Sequence, residues 1–529
     1  MAISIRCTAS RRSLLGGLFL VPLLAIWSAC GAIGQEPGPA PAAQPRHLII
    51  LHTNDIHGQI LPLPATWIRD QNPPPLVGGV ERIARYIDLV RKQAALDGDD
   101  VLVVDAGDWF QGTPEGALEK GLPLVRILSK VGYDVLCVGN HEFDHGVGQL
   151  LEHLQAVSMP ALLANVREPN GQTLGGTLPY KIVERAGSRI ALVGLLTTQT
   201  PSITHPSAST LTWNSEAETL TRLRGELRKD CDWVLPITHM GVEADEALAQ
   251  AVPDLPLIIG GHSHTLLPHG RHQGDTLIVQ AGSKGRGVGR IDVTLDGATG
   301  KPIAMQAQVV NLFEDTVAGG EAPEVAALCA EVQKETEASM AVVVGSIARD
   351  MPRSKALWQT SPLGNWVTDV MLAKAGGDIA IQNRGGLRAD WKAGPITRRD
   401  VFSILPFDNS LVTLTMPGAE LEAFLRRCVE SDSPRMLEFS GAEITVQADG
   451  DGWKMVEVLI EGQPLDPARS YHFVTNNYLA GGGDGLDELA LIPERVDDGR
   501  LQRDLMEEEL LEKGQVEAWQ GNRYHVRRP

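Results

Sequence analysis

The sequence predicts an α/β protein: a four-layer helix–sheet–sheet–helix domain followed by a second α/β domain. Three observations carry this expectation. From His47 onward, short runs of Val, Ile and Leu recur, and each ends in a burst of Asp, Asn, His and Gly. Stretches with helical apolar spacing, such as Val80–Gln93 and Glu216–Lys229, fall between those runs. The ladder then stops after Thr316, and a different pattern begins near Val342.

The runs are Leu48–Leu51, Val101–Val104, Val135–Val138, Ile190–Val193, Val234–Ile237 and Leu257–Ile259. Continuous apolar runs of this length suit strands covered on both faces, with helices as crossovers. Six such strands over residues 47–315 are enough for two packed sheets. Residues 316–341 form a connecting segment, in which Val325, Leu328 and Val332 give 324–337 the spacing of a charged helix. A second domain then runs over 342–529.

Ahead of the ladder, Ser10-Arg11-Arg12-Ser13 precedes an apolar run from Leu14 to Ala29. The run is short for a membrane-spanning helix, and its basic flank reads as a twin-arginine signal peptide over 1–29. Trp27-Ser28-Ala29-Cys30 resembles a lipobox, in which Cys30 would carry a lipid; simple cleavage is the alternative. Residues 30–46, rich in Pro and Ala towards their end, read as a linker. The chain is therefore expected outside the cytoplasm, in the periplasm or at the cell surface.

A length of 529 residues exceeds one hydrophobic core, and 43% hydrophobic with 21% charged residues excludes wholesale disorder. A net charge of −19 argues against nucleic acid as a partner, and loss of Arg6, Arg11 and Arg12 with the leader deepens it. An anion bound here needs local positive charge from arginines, helix N-termini or metal ions. Cys137, Cys231, Cys329 and Cys428 are scattered and read as buried thiols.

In open α/β sheets, ligands bind beyond the carboxyl ends of strands, where all the polar bursts fall. Asn54-Asp55-Ile56-His57-Gly58 offers a carboxylate and an imidazole on one side of a strand end. In Asp105-Ala106-Gly107-Asp108, Gly107 lets a carboxylate turn into the site. Gly139-Asn140-His141-Glu142-Phe143-Asp144 joins a neutral oxygen ligand to a histidine with a carboxylate three residues on. His239 ends another run, and Gly261-His262-Ser263-His264 places two imidazoles on one side of an extended segment. Mixed oxygen and nitrogen donors of this kind suit a pair of divalent ions, whether Zn, Mn, Co or Fe.

At these motifs the chain resembles the calcineurin-like metallophosphoesterase superfamily, and within it the exported 5′-nucleotidases and UDP-sugar hydrolases. Val104–Thr113 and Gly139–Gly146 carry the likeness most strongly. The resemblance implies one metal on Asp55, His57, Asp108 and His264. A second would sit on Asp108, Asn140, His239 and His262, with Asp108 as the bridge. It also implies that His141, oriented by Asp144, faces the substrate phosphate. Asp144 has a second reading as a cap for the helix near Val147, and Asp105 reads as a supporting or structural carboxylate. Glu142 would either support the site or face solvent.

In the second domain, Asn383-Arg384-Gly385-Gly386-Leu387-Arg388, Leu405-Pro406-Phe407-Asp408-Asn409 and Asn477-Tyr478 to Gly485 resemble the nucleotidase C-terminal domain. The resemblance implies a base stacked between Phe407 and Tyr478, with Asn409 and Asp484 on the base edge or ribose. Arg388 would pair with a phosphate, and Asn383 would touch the substrate. One departure stands out: the family's further arginines are missing from Leu357–Asn365, and only Arg353 and Lys355 lie just upstream. The expected activity is hydrolysis of nucleoside 5′-monophosphates to nucleoside and phosphate. UDP-sugars, 2′,3′-cyclic nucleotides and a sulfur ester, as in the related thiosulfohydrolases, are the alternatives on the same dimetal site.

Overall fold

A computed structural model describes residues 44–431 and 434–527. The expected signal peptide, Cys30 and most of the linker lie outside the described residues. Two sheets form the first half. One runs, edge to edge, through Pro302–Asn311, Gly287–Leu295, Arg46–Thr53, Asp100–Asp105, Val135–Cys137, Ala161–Leu162 and Thr177–Leu178. The other runs through Arg271–Gln273, Thr276–Val279, Leu257–Ile259, Trp233–His239, Ser188–Leu196 and Tyr180–Arg185.

Leu48, Ile50, Leu102 and Val104 of the first sheet share one buried cluster with Leu192, Leu235, Ile237 and Ile259 of the second. The outer face of the first sheet packs on the helices Val80–Asp97 and Leu122–Val131. The outer face of the second packs on Glu216–Leu227 and Val242–Ala251. These are the four layers the sequence predicts. Its six apolar runs all fall in strands, because each strand is covered on both faces. The edge hairpin Gly287–Leu295 and Pro302–Asn311 has no such run; it pairs antiparallel, its first strand alternating buried with half-buried residues from Gly289 onward and its second mostly exposed or half-buried.

The connecting helix spans Pro323–Met340 and packs its Val325, Cys329 and Val332 on the first domain's core. Beyond it, a sheet ordered Leu437–Ser440, Ile379–Asn383, Ser470–Asn476, Ser410–Pro417 and Arg495–Leu501 is flanked by Pro362–Ala375, Gly418–Glu430 and Gln502–Lys513. The helix expected from Trp366 begins one turn earlier. Pro362 suits a first helical position, and the Ser361 hydroxyl accepts from the Gly364 N–H. Among the described residues, Cys137, Cys231, Cys329 and Cys428 are buried and free, as read from sequence.

Candidate active site

Strand register brings the motifs together. Arg46–Thr53 and Asp100–Asp105 run parallel with Thr53 opposite Asp105, so their two polar bursts leave the sheet side by side. Val135–Cys137 joins the same edge, and the second sheet delivers Trp233–His239 and Leu257–Ile259 to the same end. Asp55, His57, Asp108, His239, His262 and His264 converge there in groups whose donor atoms lie within 4.8 Å of one another. Nε2 of His57 is 2.8 Å from Nε2 of His264 and 3.9 Å from the Asp108 carboxylate. Nε2 of His264 is 3.4 Å from Asp55 Oδ1. On the other side, His239 Nε2 is 2.9 Å from Asp108 Oδ2, and His262 Nδ1 is 2.8 Å from the Asn140 side-chain oxygen.

The local backbone differs from the sequence expectation. Asp55, His57, His262 and His264 are aimed by tight turns, not by alternation along an extended segment. These four and Asp108 all have left-handed φ, between 49° and 77°. That conformation is uncommon outside glycine and is held here by surrounding contacts. Asp55 N–H donates to Gly107 O, His57 N–H to Asp108 O, and His262 N–H to the Asp55 carboxylate. Gly139 is required by packing: a Cβ on it would lie 2.2 Å from Asp108 Oδ1.

Burial pushes His57 and His262 down to about 4, which leaves neutral imidazoles with free lone pairs, the form a metal takes. Burial also works against protonated His239, but the Asp108 and Asp55 carboxylates outweigh it and raise the ring to about 9. Asp108 is opposed by its burial, yet His239, His141 and His57 hold it well below the usual carboxylate range. The pocket thus favours positive charge between its carboxylates. His239 Nδ1 is fixed by Ala106 O at 2.7 Å, which turns Nε2 to the Asp108 carboxylate 2.9 Å away. An oriented imidazole nitrogen aimed at a shared carboxylate fits a divalent cation.

His141 stands at the rim of this group, with Nε2 3.9 Å from Asp108 Oδ2. Burial would lower it, but Asp144, Asp108 and Glu142 outweigh that and raise it to about 10. Asp144 meets its Nδ1 at 2.6 Å. The capping alternative for Asp144 does not hold: His145 occupies that position and no side chain caps the helix Gly146–Ala156.

Glu142 does not face solvent either. It is 1% exposed and accepts from the N–H groups of Asp108, Phe110 and Gly139, which ties the bridging turn to the Asn140–His141 turn. Burial, then the nearby Asp108, raises it to about 8. Asp105 is buried too, accepting from Thr53 and the Gly107 N–H. Gln111, inside the Val104–Thr113 motif but not singled out, lies 2.9 Å from His141 Nδ1.

Of the second-domain candidates, Asn383, Tyr478 and Asp484 are joined by hydrogen bonds, whereas Arg388, Phe407 and Asn409 make none to them. Phe407 and Tyr478 are 46% and 47% exposed, so neither is a core aromatic. Tyr478 sits in the short helix Asn477–Ala480, not in a loop, and donates through its hydroxyl to Asp484. Asn383 also donates to Asp484, at 2.8 Å. Arg388 is exposed, and its guanidinium donates to Gly385 O. Asn409 lies two residues beyond Phe407, its backbone carbonyl held by Gln502 N–H. Among the described residues no hydrogen bond or ion pair joins these six to the candidate metal ligands. The two groups do sense each other: the Asp408 charge acts on Asp144, and that of Arg388 on Lys284, whose backbone N–H donates to Asp55 O.

Comparison with known proteins agrees with both halves. Residues 48–266 match the calcineurin-like phosphoesterase model and 338–490 the 5′-nucleotidase C-terminal domain. A 5′-nucleotidase precursor from Thermus thermophilus is 31% identical with a TM-score of 0.64, covering 91% of this chain and 99% of that one. The chain belongs to the 5′-nucleotidase family. Among curated members, protein UshA of Yersinia enterocolitica is 29% identical over 89% of this chain and 92% of its own. The 5′-nucleotidase of Vibrio cholerae is 28% identical over 93% and 96%. As a member of this family the protein is a metal-dependent phosphoester hydrolase, and the converging donor set could hold divalent metal.

Proposed function

We propose that the protein is an exported dimetal phosphohydrolase that cleaves nucleoside 5′-monophosphates to nucleoside and phosphate. The observation carrying this reading is one chain's pairing of a buried carboxylate–imidazole cluster with two half-exposed aromatics in its second domain. Asp55, His57, Asp108 and His264 would hold one ion, and Asp108, Asn140, His239 and His262 the other. Divalent ions bound there, of Zn, Mn, Co or Fe type, would supply Lewis acidity and a water of lowered pKa.

The protein's own groups do the rest. His141 is protonated at neutral pH, with Asp144 fixing its ring, so it donates to developing charge on the phosphoryl group or the leaving oxygen. Phe407 and Tyr478 would stack the base, Asn409 and Asp484 would meet its edge or the ribose, Arg388 would pair with the phosphate, and Asn383 would touch the substrate. Among the described residues no helix is long and apolar enough to cross a membrane.

One observation supports a second reading, a nucleotide carrying two phosphates, such as a UDP-sugar. Half-buried Lys284 lies in the field of Arg286 and Arg388; Arg286 stacks on the Trp67 ring and Arg388 donates to Gly385 O. Chromatographic separation of the products formed from AMP, UDP-glucose and 2′,3′-cyclic AMP, with Mn or Zn added, separates the readings, because cleavage of UDP-glucose to UMP and glucose 1-phosphate, or opening of the cyclic ester to a monoester, releases no free phosphate. We expect AMP to be the best substrate; turnover of UDP-glucose alone would replace the first reading with the second, and no turnover of any would sink both.

A further inference from the structure

The first two residues of the helix Gln502–Lys513 touch both halves of the proposed base clamp from behind. Arg503 is 8% exposed and reaches the Phe407 segment at two points. Its guanidinium donates to Leu405 O at 3.2 Å and forms a short ion pair with the buried Asp408 carboxylate, while its Cζ stacks 4.4 Å from the Phe402 ring centroid. Next to it, the Gln502 backbone N–H donates to Asn409 O at 2.8 Å. The segment carrying Phe407 is therefore pinned on both sides of that ring.

Gln502 also reaches the other aromatic through its side chain. Its amide donates to Gln382 Oε1 at 2.9 Å, and the Gln382 amide donates to Asn383 Oδ1 at 3.0 Å. The Asn383 amide donates to Asp484 at 2.8 Å, and the same carboxylate accepts from the Tyr478 hydroxyl at 2.9 Å. Asn476 braces this chain: its amide donates to Gln382 Oε1, and its own oxygen accepts from the N–H of Leu479, next to Tyr478. Gln502, Gln382 and Asn476 are at most 1% exposed. Every amide in the series donates towards the Asp484 carboxylate, an alignment in which each bond polarises the next. Gln502 Oε1 is buried without a hydrogen-bond partner, while the other links of the chain are paired and act as a strut between the two segments.

We propose that Gln502 and Arg503 are positioning residues that together set the gap between Phe407 and Tyr478, and hence the selection of substrates that carry a base. The proposal rests on the base-clamp reading above. It accounts for a feature that reading leaves unexplained, the burial of a charged pair and four amide side chains behind two exposed rings.

The test uses the full exported chain with Gln502→Leu and Arg503→Met, and with Arg503→Lys as the variant that keeps the ion pair to Asp408. Adenosine affinity is measured by calorimetry, and kcat/KM for AMP is compared with that for ribose 5-phosphate, which has no base. We expect Gln502→Leu and Arg503→Met to weaken adenosine binding about tenfold and to lower the AMP to ribose 5-phosphate ratio by a similar factor. Arg503→Lys should recover most of that loss, and the near-isosteric Gln502→Met, which removes only the amide, carries the test with the same expected loss if Gln502→Leu and Arg503→Met do not fold. Adenosine affinity unchanged in the variants, or both substrates losing turnover in parallel, overturns the positioning role and leaves the clamp intact. A wild-type protein that cleaves AMP but does not bind adenosine overturns the clamp, and the positioning role with it.

Discussion

The candidate metal cluster and the proposed base clamp are built by opposite means. Around Asp108 the geometry resides in the main chain: five candidate ligands take left-handed φ, and Glu142 gathers three N–H groups from two turns. Around Phe407 and Tyr478 the backbone is ordinary at both aromatics, and position comes from side chains reaching from behind. The first arrangement tolerates almost no shift, as a divalent ion demands. The second can be retuned by changing one side chain, which suits a surface that must accept a particular leaving group.

This contrast is open to test, beginning with the largest effect. Asp108→Asn should reduce phosphate release from AMP by about 10³-fold or more, because it removes charge shared by both halves of the cluster. Elemental analysis should find the variant depleted in metal; full metal content with unchanged kcat would break the contrast at its buried end. Phe407→Ala should act chiefly on KM for AMP, raising it about tenfold, the loss of one stacking face. A fall in kcat with KM unchanged would place that ring in the chemistry instead.

The smallest effect is on stability and lies behind the cluster. Asp245 is fully buried, accepts from the Thr238 hydroxyl at 2.6 Å, and is raised to about 7 by burial. The folded state therefore holds a proton that the unfolded chain, with an ordinary carboxylate, releases from about pH 4 upward. The stability this group contributes is present in acid, is lost as pH rises towards 7, and is flat above it. Asp245→Asn should melt several degrees above wild type at pH 8, with the gap closing towards pH 5. An equal gap at both pH values would mean that Asp245 is ionised in the fold.

The strands and their order of appearance were legible because each central strand is sealed on both faces and its apolar run is unbroken. The residues that converge were legible for a related reason: they follow those runs directly, as Asp55 follows Leu48–Leu51 and His262 follows Leu257–Ile259. The shape of the turns was not legible. Left-handed φ at Asp55 or His264 is imposed by long-range contacts such as His262 N–H to Asp55, some two hundred residues apart in sequence. Glu142 was ambiguous for the same reason, since its partners are backbone groups that have no residue type. Gln382, Asn476, Gln502 and Arg503 were invisible because a buried amide reads as surface until its neighbours are known.

The left-handed turns constrain inheritance as well as chemistry. At Asp55, His57, Asp108, His262 and His264 a replacement must satisfy the backbone before its donor atom matters, and β-branched residues fail that first condition. Glycine, asparagine, aspartate and histidine pass it more readily. Drift at these five sites is thus channelled towards small or ligand-capable residues, so a lineage can exchange one metal donor for another more easily than it can convert the pocket into hydrophobic core.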